Sequence, residues 1–152
     1  MKVLVQRVSR ASVMVEGRTV GEIRGGLLVF LGVERGDTES DADYLADKTA
    51  GLRIFSDDEG RMNLSVEESG GEALVVSQFT LTGSTRRGRR PSFADAAPRE
   101  DAERLYRHFA ARLSLRGLPV CTGVFQAMME VESVNDGPVT LWLNPPPSRR
   151  RR

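Results

Sequence analysis

Leu27-Leu28-Val29-Phe30-Leu31-Gly32-Val33 is an unbroken apolar run, entered through Gly25-Gly26. Bounded apolar stretches of this length are the pattern of a central strand buried on both faces. Because Gly25-Gly26 precedes the strand instead of following one, it marks a turn and not a phosphate cradle. Upstream, residues 2–8 place Val3 and Val5 on one face and Leu4 and Val8 on the other, which predicts a strand buried at least partly on both sides. Ser12 to Val15 and Thr19 to Ile23 flank Glu16-Gly17, a hairpin signal.

Downstream, Thr38-Glu39-Ser40-Asp41 resembles a capping box, and Ala42, Leu45, Ala46, Thr49 and Leu52 follow at helical spacing. A helix is predicted from about Ser40 to Arg53. Ser56 to Gly60 is polar and turn-rich, so a loop is expected. Ala73 to Phe79 reads as a second buried strand. Thr82 to Phe93 carries glycines, arginines and Pro91 without periodicity, hence a long loop of the kind that often carries function. Pro98 suits the first turn of a second helix with Ala102, Leu105, Tyr106, Phe109, Ala110 and Leu113 on its apolar stripe. Gly117 and Pro119 end it. Strands are expected at about Pro119 to Phe125, Met128 to Val134 and Val139 to Leu143, the last two separated by Asn135-Asp136-Gly137-Pro138 as a turn. The order β, β, β, α, β, α, β, β, β argues one α/β domain, its sheet covered by two helices.

At 152 residues the chain has the size of one domain and can bury a core without staples. Its single cysteine, Cys121, cannot form an internal disulfide; it starts a predicted strand and reads as a small core residue. That suits a reducing, cytoplasmic setting. No apolar run approaches a membrane span, so no membrane association is expected, and Met1 to Arg7 reads as a first strand and not as a signal peptide. Of 22 basic residues four are Arg149 to Arg152, leaving 18 against 21 acidic ones in the body, a net of −3. Phosphate contacts must therefore come from local clusters. One is Arg86, Arg87, Arg89 and Arg90. The other is the tail, residues 145–152, which after Pro145-Pro146-Pro147 is expected to be solvated and disordered.

The usual catalytic sets fail. The one histidine, His108, falls on the polar face of the second helix between Arg104 and Arg112 and reads as a surface residue. There is no Gly-x-Ser-x-Gly elbow, no His-x-x-x-His or Cys-x-x-Cys spacing and no Walker loop. An enzyme built from this sequence would work without a metal, a cofactor or a standard triad.

Two segments are specific: Ser77-Gln78-Phe79-Thr80-Leu81, at the end of a buried strand, and Asn135-Asp136-Gly137-Pro138-Val139-Thr140. Gln6-Arg7-Val8, Leu52-Arg53-Ile54-Phe55, Met62-Asn63-Leu64-Ser65 and Gly88-Arg89-Arg90-Pro91-Ser92-Phe93 accompany them in order. On these motifs the chain, from Met1 to about residue 144, resembles the D-aminoacyl-tRNA deacylase family. The resemblance implies a three-layer α/β/β fold, a tight homodimer, and hydrolysis of the ester joining a D-amino acid to the terminal adenosine of tRNA. It also implies catalysis by backbone groups and the substrate's own 2′-hydroxyl.

Attack by water on such an ester creates an oxyanion. The N–H groups of Phe79 and Thr80 are the candidate donors, flanked by Ser77 and Gln78; one such donor is typically worth roughly 10²–10³ in rate. Thr80 offers a hydroxyl, but the sequence supplies no evident base to activate it, so a positioning role is expected. An X–Pro bond is cis in only about 5–6% of cases, so sequence alone favours trans for Gly137-Pro138. The resemblance implies cis, with the two carbonyls directed into the partner subunit's site, braced by Arg7. There they would hold the substrate amino group and leave no room for an L side chain. Glycyl-tRNA, achiral, would then also be cleaved. Phe125, in Gly123-Val124-Phe125, is expected to line the adenosine pocket with Ala127 and Met129, while Gln126 and Met128 depart from the residues common in relatives. Arg86, Arg87, Arg89 and Arg90 are the expected tRNA contact. The competing readings are a non-catalytic module that binds the tRNA acceptor end and a structural, partner-binding dimer.

Overall fold

Leu27 to Leu31 face two interiors at once. In the computed structural model, which describes residues 1–147, this run forms strand β3 (Gly26–Gly32). Leu27, Val29 and Leu31 belong to one buried cluster and Leu28 to another, with Phe30 packed against the second. The alternation follows from the two-residue period of a strand. Around β3 lie β1 (Lys2–Val15), antiparallel to it, and β6 (Glu72–Ser77), parallel to it, with β7 (Val120–Thr122) parallel to β6 beyond. β6 repeats the double burial: Ala73 and Val75 join the first cluster, Leu74 and Val76 the second.

Two helices close the first cluster. α1 (Glu39–Gly51) contributes Ala42, Leu45, Ala46 and Ala50; α2 (Arg99–Leu115) contributes Leu105, Tyr106, Phe109 and Leu113. Phe109 is completely buried, a contribution of roughly 1.5–3 kcal/mol from its removal from water. The second cluster is closed by strands. Ala11 and Val13 from the far half of β1 and Ile23 from β2 (Arg18–Ile23) pack over Leu28, Leu74 and Val76. The result is helices, sheet and a second β layer, the α/β/β arrangement expected.

β1 joins the two β layers. Its residues 2–8 pair with β3, Ala11 to Val15 pair with β2, and its other side pairs along nearly its whole length with β8 (Glu130–Leu143). The segments expected separately at 2–8 and 12–15 are thus one strand. So are the two expected at 128–134 and 139–143. Asn135-Asp136-Gly137-Pro138 is accordingly not a turn between paired strands. Both flanks lie against β1: Gln6 opposes Thr140 and Val8 opposes Asn135, so residues 136–139 bow out opposite Arg7 alone. Local sequence cannot distinguish this bulge from a hairpin, because the difference lies in the partner strand.

Other boundaries shift in smaller ways. β6 stops at Ser77, and Phe79–Thr82 coil into a 3-10 turn where strand was expected to reach Phe79. β7 is shorter than the predicted strand, and β8 begins at Glu130, after Met128. Pro98 is the cap of α2 instead of a residue of its first turn. Phe55–Ser56 (β4) and Met62–Leu64 (β5) form a small separate sheet, which takes Ser56 out of the expected loop. Thr38 and Asp41 do form the cap foreseen at α1, the Asp41 carboxylate accepting the Thr38 N–H at 2.9 Å.

His108 is not a free surface histidine. It is half-buried and bonds Asp43 at 2.8 Å, one rung of a ladder in which Arg104 meets Glu39 and Arg112 meets Asp47. Both sides of the ladder advance by four residues, so one face of α2 reads one face of α1 in register. Pro145 is buried; Ser148 to Arg152, including the arginine tail, lie outside the described residues.

Candidate active site

The end of β6 is held tightly. Gln78 donates its N–H to the Leu31 carbonyl at 2.8 Å, and Gly32 permits the approach, since a Cβ there would lie 2.9 Å from the Gln78 oxygen. The chain then turns: Leu81 N–H reaches the Gln78 carbonyl at 3.2 Å and Gly83 N–H the Thr80 carbonyl at 3.0 Å. Buried Thr82 locks the turn through its hydroxyl, which donates to the Phe79 carbonyl at 2.7 Å. The N–H groups of Phe79 and Thr80 open this turn, and the first donors of a helical turn have no intrahelical acceptor. Both residues are exposed, and the Gln78 carboxamide donates to the Thr80 hydroxyl.

The opposite wall follows β7. Ala127 N–H bonds the Val124 carbonyl at 3.2 Å across a tight turn in which Gln126 adopts φ +63°. Such a conformation is uncommon for a residue with a side chain and is the kind found at functional sites. Gly123 admits Met129 beside it; a Cβ would sit 2.7 Å from the Met129 sulfur. The Phe125 ring leans on Tyr106 with centroids 5.7 Å apart. Tyr106 in turn donates its hydroxyl to the Val75 carbonyl at 3.1 Å, and burial pushes its phenol up, so it remains a donor.

Between the walls lies a cavity of about 620 Å³. Ser77, Gln78 and Phe79 line one side, Phe125, Ala127 and Met129 the other, and α2 forms part of the rim. Two separate sequence segments are brought to one apolar pocket of the size that takes a small ligand. Thr80 is not among its lining residues.

Gly137, Pro138 and Arg7 stand apart from that cavity. Gly137-Pro138 is cis and exposed. Beneath it the largely buried Arg7 side chain donates from Nε to the Asp136 carbonyl at 3.1 Å and from Nη1 to the Ile54 carbonyl at 2.6 Å. The brace falls on the carbonyl just before Gly137, not on those of Gly137 and Pro138. Asn135 steadies the other side, accepting the Val139 N–H at 3.2 Å and donating to Thr140 at 2.9 Å. At Gly137, with φ +131°, a Cβ would come within 3.0 Å of Arg7 Nη2.

Arg86, Arg87, Arg89 and Arg90 crown a loop closed at its base by two hydrogen bonds between Ser84 and Ser92, 2.8 and 2.9 Å. All four are exposed, and among the described residues none is paired with a carboxylate. Phe93, just past the base, meets Phe79 edge to face with centroids 5.0 Å apart. The arginine loop is therefore mounted on the cavity wall.

One charged rim residue, Arg99, escaped the sequence reading. It gave no signal beyond its charge, and the backbone of Gln126 could be recognised only through its positive φ. Ala102 and Tyr106 also line the cavity, having read only as part of an apolar stripe. Among the described residues no group of three or more His, Cys, Asp or Glu side chains converges. No helix among them is long and apolar enough to cross a membrane.

Comparison with known proteins gives a consistent picture. The family model described as D-Tyr-tRNA(Tyr) deacylase matches residues 4–144. A D-aminoacyl-tRNA deacylase of Koribacter versatilis is 60% identical over 144 residues, covering 95% of this chain and 97% of that one. One from Thermotoga petrophila is 58% identical with the same coverage. Among solved structures, one described as c-Myc DNA Unwinding Element Binding Protein superposes with a TM-score of 0.90 at 40% identity, covering 96% of this chain and 99% of that one. A probable eukaryotic D-amino acid tRNA deacylase shares the fold, with a TM-score of 0.79 at 19% identity over 94% and 98% of the two chains.

Proposed function

The chain belongs to the D-Tyr-tRNA(Tyr) deacylase family, and from that premise we propose that its cavity holds the aminoacyl-adenosine end of a D-aminoacyl-tRNA during hydrolysis. The protein is a hydrolase of the ester bond of D-aminoacyl-tRNA. The observation that carries the site reading is the cavity itself, which gathers Ser77, Gln78 and Phe79 against Phe125, Ala127 and Met129.

In this reading the adenosine lies against Phe125, Ala127 and Met129, and the ester carbonyl points at the N–H groups of Phe79 and Thr80. Water attacks the carbonyl carbon, oriented by the neighbouring 2′-hydroxyl. The two N–H groups receive the developing oxyanion, the geometry in which preorganised donors act most strongly. The ester C–O bond then breaks, the ribose oxygen takes the proton, and amino acid and tRNA leave. Gln78 positions Thr80 through its carboxamide and fixes the strand end through its N–H, and Ser77, the last residue of β6, lines the pocket beside it.

Chiral selection falls to Gly137-Pro138, steadied by Arg7. Because that bulge is exposed and stands apart from its own chain's cavity, it acts in the site of a second copy. The outer side of β8 supports such a dimer: among the described residues β8 pairs only with β1, and Val134 and Trp142 on it are exposed. Its main-chain oxygens take the substrate ammonium and crowd out an L side chain, while glycine fits. The arginine loop takes acceptor-stem phosphates. The reaction belongs in the cytoplasm, where charged tRNA is made and used.

The test is hydrolysis of matched D-, L- and glycyl-tRNA by the purified protein. Release from the D and glycyl forms with the L form spared is the expected result. Equal release of D and L forms would remove the chiral role of the bulge.

A further inference from the structure

We propose that Arg99 binds the 5′-phosphate of the terminal adenosine and so fixes which way round the substrate enters; this rests on the placement of the aminoacyl-adenosine end in the cavity. Arg99 is the first residue of α2 and the one charged side chain among the described residues lining the cavity. Its surroundings there are apolar or neutral, with Ser77, Gln78 and Gln126 supplying the polar groups.

The contrast with the rest of α2 is informative. Arg104 meets Glu39, Arg107 meets Glu103, Arg112 meets Asp47, and Arg116 at the helix end meets Glu67. Arg99 has no such partner among the described residues. Four arginines are committed to holding the helix, and the fifth is left free at the rim of a cavity.

The substrate end carries two kinds of charge, an ammonium on the amino acid and phosphates along the nucleic acid. A lone guanidinium attracts the second and repels the first, and within a few ångströms neither effect is screened away by salt. Its forked donors also match phosphate oxygens. Arg99 therefore draws the nucleotide end towards α2 and leaves the ammonium directed away from it. The arginine loop beyond Phe79 and Phe93 is a second basic rim, available to phosphates further along the chain.

Two small esters isolate the contact: D-tyrosine esterified to the 3′-hydroxyl of AMP, and the same ester of adenosine, which lacks the phosphate. Arg99→Gln should raise KM for the AMP ester roughly three- to tenfold, as for one partly exposed charge-assisted hydrogen bond, with kcat little changed. KM for the adenosine ester should stay as in the wild type, and Arg99→Lys should recover most of the difference. An equal effect on both esters, or on neither, overturns the assignment while leaving the site reading intact. A wild-type protein that cleaves D-aminoacyl-tRNA but neither small ester would remove the site reading, and Arg99 with it.

Discussion

The Arg7 guanidinium holds the Asp136 main-chain carbonyl at 3.1 Å, from the single strand position opposite which residues 136–139 bow outward. Its other arm holds the Ile54 carbonyl at 2.6 Å, so one side chain ties the bulge to the segment that follows α1. Arg7→Ala should cost about 1–3 kcal/mol of stability, chiefly because the buried Ile54 carbonyl loses its charge-assisted partner. It should also loosen discrimination between D- and L-aminoacyl-tRNA. Arg7→Lys should rescue little, because a single ammonium cannot serve two separated carbonyls as a planar fork does. Urea denaturation and the D-to-L ratio of kcat/KM measure the two effects.

Thr80 has a hydroxyl in the right segment, and among the described residues its hydrogen-bond partner is the Gln78 carboxamide, not a base. Thr80→Ala should therefore keep kcat within roughly tenfold of the wild type, less than the loss expected from removing an oxyanion donor. Single-turnover hydrolysis of D-aminoacyl-tRNA gives the answer. Abolished turnover in a folded variant would make the hydroxyl a nucleophile.

Neutralising Arg86, Arg87, Arg89 and Arg90 to glutamine should weaken tRNA binding and flatten its dependence on salt. Each lost phosphate contact lowers the slope of log K against log salt by about 0.7–0.9. Equilibrium binding across a salt series, with a non-hydrolysable aminoacyl-tRNA, reads this directly. An unchanged slope would take the loop out of the interface.

Asp47 sits in the helix ladder, where the Arg112 guanidinium, bonded at 2.9 and 3.0 Å, holds its carboxyl below the ordinary value of 3.8. A depressed carboxyl stabilises the fold above its unfolded-state pKa and loses that effect as pH falls through the folded one. The stability advantage of the wild type over Asp47→Asn should thus be present at neutral pH and vanish in acid. The pair is partly exposed, so the difference is small and shrinks further in high salt. Denaturation midpoints followed down through the carboxylate range test it.

The parts of this fold that could be read from sequence are those fixed by local period. Leu27 to Leu31 and Ala73 to Val76 announce strands buried on two faces, and the stripe through Leu105, Phe109 and Leu113 announces a helix. What could not be read depends on distant partners. Nothing near Gly137 says that both its flanks lie on β1. Phe79 is as apolar as the strand before it, yet the chain coils there and leaves its ring largely exposed. Among site residues, Ser77 to Phe79 and Phe125 to Met129 were visible as motifs, and the structure shows them sharing a cavity. Arg99 was invisible because a charged residue at a helix start is ordinary; what sets it apart is that it lines the cavity and forms no ion pair among the described residues.

β8 carries both a wall of the cavity, through Val131, and the bulge at Gly137. Val131 lies four residues from Asn135, where the bulge begins, a span of roughly 13 Å at strand rise. Their spacing is set by how β8 aligns with β1, not by any side chain in either place. The strand acts as a ruler: a pocket can drift in shape through substitutions at its lining while the distance from pocket to bulge stays the same. A one-residue insertion between Val131 and Asn135 would change that distance and turn every following side chain to the opposite face.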